Sequence, residues 1–82
     1  MIYKIVSARD KLVGFGSPML EVNLEVAKRS FANAMVKQDP GVVGDIDLYH
    51  IGDFDSESGL IIPCNTPVFL AAGFSAATEV SK

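Results

Sequence analysis

Asn23 to Lys37 reads NLEVAKRSFANAMVK, and this stretch decides the fold. Leu24, Ala27, Phe31, Ala34 and Met35 recur at helical spacing and give one apolar face. Asn23 suits the N-cap, because its side-chain oxygen can accept from an unpaired amide of the first turn. Glu25 places negative charge near the positive end of the helix dipole. Glu25 and Arg29 are spaced for an outward ion pair. Asp39-Pro40-Gly41 then stops the helix near Lys37.

Strand patterns flank this helix. Before it, Ile2 to Ser7 (IYKIVS) is β-branched and aromatic and predicts a strand. Ala8 to Lys11 is turn-like. A second extended segment runs from Leu12 to Val22, and Gly14, Gly16 and Pro18 make it an edge strand or a bulged one. After the helix, Ile46 to Phe54 (IDLYHIGDF) predicts a third strand. Strict alternation puts Ile46, Leu48, His50 and Phe54 on one face and Asp47, Tyr49, Ile51 and Asp53 on the other. Residues 55–59 form a hairpin loop with Gly59 at positive φ. Leu60-Ile61-Ile62 is a short fourth strand ended by Pro63, and Thr66-Pro67 opens a turn or short helix reaching Ala72. The tail after Gly73 is small and polar apart from Phe74. The fold class is therefore α+β: one domain over residues 1–82, ordered β-β-α-β-β plus a C-terminal helical turn, with one main helix on a small antiparallel sheet.

A chain of 82 residues buries one modest core, and domains of this size are often helped by disulfides, metals or association. With one cysteine, Cys64, and one histidine, His50, the first two routes are closed. A dimer or larger oligomer is expected, strand-swapped or sheet-extended. The single cysteine suits a reducing cytoplasm. Hydrophobic residues make up 49% of the chain, which argues against disorder. The longest apolar stretch, Pro67 to Ala72, is too short for a membrane span, and Met1-Ile2-Tyr3-Lys4 does not open a signal peptide. No membrane association and no cofactor are expected.

No catalytic constellation emerges. His50 lies mid-strand among apolar neighbours, without an identifiable partner, and reads as a partly buried strand residue. Cys64 reads as a small packing residue, since no basic neighbour would lower its pKa. The acidic run from Asp53 to Gly59 lacks the glycine position and the closing glutamate of a calcium loop. Gly14-Phe15-Gly16 lacks the third glycine of a dinucleotide site and the lysine of a phosphate loop. The chain reads as a binder, not an enzyme.

The net charge is −3, which counts against a nucleic-acid partner. The distribution is uneven, however: Lys4, Arg9, Lys11, Lys28, Arg29 and Lys37 lie in the first half, and Asp45, Asp47, Asp53, Asp55 and Glu57 in the second. Single-stranded nucleic acid needs rings for base stacking beside cations for phosphates. Tyr3 next to Lys4, Phe15 near Lys11, and Tyr49 are the candidate rings, with Arg9, Lys28 and Arg29 as further cations. The alternative is that the rings are core and the helix cations a solvated face. Val26 and Val36 lie off the core face of the helix and are candidates for a protein interface. Their partner would be a second subunit, or a replication or capsid protein.

Three motifs carry a resemblance: Tyr3-Lys4-Ile5 with Asp10, then Ala27-Lys28-Arg29-Ser30-Phe31, then Asp47-Leu48-Tyr49-His50-Ile51-Gly52-Asp53-Phe54-Asp55. With Gly59, Pro63 and Pro67 in place behind them, the chain resembles the small nonstructural protein of gokushovirus-type microviruses, often labelled a DNA-binding protein. These are tailless single-stranded DNA phages. The resemblance spans nearly the whole chain, and it departs at Pro18-Met19-Leu20, where relatives often carry aromatics after the proline. It implies binding to single-stranded DNA, or control of the step from genome replication to packaging, in the cytoplasm of the bacterial host.

Overall fold

The computed structural model describes the backbone of residues 1–80. The elements are β1 (Ile2–Asp10), β2 (Gly14–Phe15), β3 (Met19–Glu21), α1 (Leu24–Val36), α2 (Pro40–Val43), β4 (Ile46–Asp55), β5 (Ile61–Ala72) and α3 (Gly73–Val80). The α+β class and the order around one main helix hold. All strands pair antiparallel in the order β2-β1-β4-β5, and β3 also pairs with β1, beside β2.

Helix α1 forms where its pattern places it. Asn23 is extended and accepts from the Val26 amide at 2.9 Å, satisfying one of the free first-turn donors. Its buried face is Ala27, Phe31, Ala32 and Met35; Ala34, expected inward, is exposed. Ala32 and Ala34 flank the Phe31–Met35 line on opposite sides of the helix, and at this turn the core takes the Ala32 side. Glu25 pairs not with Arg29 but with Lys28, at 3.5 Å and one residue closer. Past the helix, Pro40 does more than stop it. It starts the single turn of α2 with Asp39 before it.

The core lies between one face of the sheet and α1 with α3. Val6 and Leu48 from the sheet meet Ala27, Phe31, Ala32, Met35 and Ala76. Leu48 has no exposed surface at all. Its side chain excludes water from the centre of this two-layer structure, the main source of stability in a domain this small.

Three strand expectations need correction. Ala8 to Asp10 is not a turn but the end of β1, because Arg9 and Asp10 pair on both sides, with β2 and β4. The segment 12–22 is two short edge strands rather than one, interrupted at 16–18 around Pro18, which cannot donate to a ladder. The segment 67–72, expected as a helical turn, belongs to β5, which runs on through Pro63 and Pro67 to Ala72. An edge strand tolerates prolines whose missing amide would have faced outward. The C-terminal helix comes one element later, as α3. Where β5 turns into α3, a Cβ on Gly73 would meet the carbonyl oxygens of Ile46 and Val43 at 2.6 Å, so only glycine allows that approach. The hairpin loop has Gly59 at φ 77°, as expected.

Candidate nucleic-acid interface

Strand alternation and the bulges in β4 and β5 decide which side chains share the sheet's outer face, the face away from α1. Val6 points to the helix side, so Ile5, Ser7 and Arg9 point outward. In β4, His50 pairs with Val6 and Gly52 with Ile5, so Ile51 is an extra residue at a bulge. Beyond it the alternation resumes shifted. Asp53 therefore joins His50 on the helix side, and Phe54 joins Ile51 outside, the reverse of strict alternation from Leu48. In β5, residues 64–67 leave the ladder between Pro63 and Val68.

The outer face carries two groups. At one end Phe15, Tyr49 and Phe69 form a row of rings. Phe15 and Tyr49 meet edge to face with centroids 5.4 Å apart, and Tyr49 and Phe69 do so at 5.9 Å. Tyr49 is half-buried between its neighbours, while Phe15 and Phe69 are 46% and 55% exposed. Arg9 pairs in register with Phe15 on one side and Asp47 on the other. Ser7, fully buried beneath, donates to the Gly16 carbonyl at 2.9 Å and holds the β2 side of this end in place. At the other end Ile5, Pro18, Leu20, Ile51, Phe54 and Ile61 line a groove of about 490 Å³. Tyr3 pairs with Phe54 at this second end, so it does not join the row formed by Phe15 and Tyr49.

The predicted cations divide among different surfaces. Lys4 points to the helix side, opposite Tyr3, and pairs with Asp53 at 3.4 Å. Lys11 sits in the exposed turn and donates from Nζ to the Gly44 carbonyl at 3.5 Å. Lys28, on α1, pairs with Glu25 and lines a cleft between the helices and the β5 edge, on the other side of the sheet from the rings. Arg29 is exposed on α1. Arg9, Lys11 and Arg29 form no ion pair among the described residues. Val26 is half-buried; Val36 is exposed and lines a cleft of about 190 Å³ with Met35, Pro40 and Val43.

Two functional features escaped the sequence reading. Phe69 did, because Thr66-Pro67 signals a helix and hides the strand. His50 also has partners. Its Nε2 donates to Asp53 Oδ1 at 3.0 Å, and its Nδ1 lies 3.8 Å from Cys64 Sγ. The hydrogen bond from His50 does most to hold the Asp53 carboxyl below its ordinary value; burial opposes it, and the charge and hydrogen bond of the Lys4 ammonium add to the lowering. The chain Lys4–Asp53–His50–Cys64 ties the bulged part of β5 to β4 and β1.

A family model described as Phage ORF5 protein matches residues 3–77. This chain belongs to that family. The match runs from β1 into α3 and includes every residue of the aromatic row and of the apolar groove. The Phage ORF5 assignment makes this a phage protein, and among its described residues no helix is long and apolar enough to cross a membrane. No curated protein and no solved structure matches the chain.

Proposed function

We propose that this Phage ORF5 family member is a non-enzymatic phage protein that binds single-stranded DNA on the outer face of its sheet, in genome replication or the switch to packaging. The observation that carries the reading is the row Phe15–Tyr49–Phe69 on a face no helix covers. Exposed rings at either side of a half-buried one offer unpaired bases a stacking platform, worth about 1–3 kcal/mol per base. Arg9 borders the row and would meet a phosphate, with Lys11, Lys28 and Arg29 further out. The resemblance to the microvirus nonstructural protein points the same way.

The test is fluorescence anisotropy of a labelled single-stranded oligonucleotide, with matching duplex as control, at low and moderate salt. Preference for the single strand that weakens with salt supports the reading. Absence of binding at low salt, where phosphate attraction is strongest, excludes it.

A protein-interaction role without DNA contact is the second reading, favoured by Val36 at the mouth of its apolar cleft. Under it, Val36→Asp removes contact with a replication or capsid protein and leaves the fold intact. Retention of every such contact in the variant rules this reading out.

A further inference from the structure

The groove at the second end of the outer face is lined only by apolar side chains, among them Leu20 at 50% and Ile61 at 65% exposure. We propose that a second copy of this chain docks on it face to face, groove against groove, about a two-fold axis.

Four observations favour this occupant. The protomer exposes 5259 Å², whereas a monomer of its mass ordinarily exposes about 4,800 Å². The excess of roughly 500 Å² belongs to the whole protomer, and exposed Leu20 and Ile61 at the groove contribute to it; a standard interface takes ~800 Å² from each partner. The groove offers no charge to a phosphate or to a charged peptide, while an isologous contact needs only that the patch complement itself. The domain has neither disulfide nor metal cluster among its described residues to supplement a thin core. Finally, both sheet edges are poor templates for strand addition. β5 carries Pro63 and Pro67, and the β2–β3 edge is interrupted around Pro18. Association therefore proceeds through the face and not by extending the sheet, and with the two-fold axis running across the strands it leaves both aromatic rows free.

The experiment is sedimentation equilibrium of the full chain without DNA, from low micromolar to hundreds of micromolar, at low and high salt. The wild type is expected to dimerise, more tightly at high salt, because each copy carries a net charge of −3 and salt screens the repulsion. DNA binding would show the opposite salt dependence, so the two proposals fail separately. Leu20→Asp and Ile61→Lys, at positions half or more exposed in the protomer, are expected to raise the dimer dissociation constant about tenfold or more. Val36→Asp, remote from the groove, leaves it unchanged. A wild type that stays monomeric throughout overturns the proposal, as does a dimer indifferent to both groove substitutions. Should the variants fail to fold, methyl NMR of the wild type decides. Concentration-dependent shifts at Leu20, Ile51 and Ile61 support the groove, and shifts confined elsewhere refute it.

Discussion

The two ends of the outer face are built from the same strands yet offer different chemistry. At one end Phe15, Tyr49 and Phe69 stand edge to face, with Arg9 at their border. At the other, Leu20, Ile51, Phe54 and Ile61 surround a concave space with no charge. A row of rings with exposed faces gains by stacking on flat partners, and it keeps cations within reach. A groove of aliphatic side chains gains only by excluding water over a matching surface. One sheet thus separates a candidate polymer contact from a candidate subunit contact along the length of its strands.

The severest way to break the comparison is to remove what supports both ends. Leu48→Ala deletes a fully buried side chain and is expected to cost about 2–5 kcal/mol. That is close to the whole stability of a domain this size, so both activities vanish together. Chemical denaturation measures it, and an unchanged midpoint would show that the core lies elsewhere. Tyr49→Ala sharpens the comparison instead. It removes the central ring and is expected to weaken single-stranded DNA binding by about 1–3 kcal/mol while the monomer–dimer equilibrium stays as it was. Anisotropy and sedimentation on one preparation check both halves. Phe15→Leu keeps apolar volume but loses an outer ring of the platform, with an expected cost of about 1 kcal/mol in DNA affinity and none in dimerisation.

The smallest effect concerns acid. Asp53 has its carboxyl lowered by His50 and Lys4, so it binds protons less readily in the folded than in the unfolded chain. Its contribution to stability is present above the ordinary carboxylate pKa of about 4 and is lost as pH falls through the lowered folded value. A shallower acid limb in the melting temperature of Asp53→Asn is the expected result. Identical limbs for both proteins would show that the Lys4–Asp53–His50 contacts contribute nothing.

The fold class and α1 were legible because they rest on local signals: a period, a cap and a proline stop. Phe15 and Tyr49 were legible as candidate rings because each stands in an extended segment, Phe15 with Lys11 close by in sequence. Where the reading failed, the cause is non-local. The side of the sheet on which Phe54 and Asp53 lie depends on one extra residue opposite Ile5 and Val6, and no period in β4 announces it. Phe69 was hidden by prolines that look like a helix start in isolation but are tolerated on an edge strand. The contact of Cys64 with His50 needs residues 64–67 to leave the ladder, and only the pairing of whole strands reveals that. Lys28 meets the cleft at the β5 edge through the packing of α1 against the sheet, which spacing along one helix cannot express.

The bulge at Ile51 has a consequence for how such a gene can change. His50 and Gly52 already point to opposite faces, so losing the one codon between them would leave a regular strand. Leu48 and Tyr49 would keep their orientation on one side of the deletion, and Asp53 and Phe54 on the other. The single side chain lost would be one from the floor of the apolar groove. A three-nucleotide deletion could thus retire one surface of this phage protein while the rest of the sheet reads on in frame.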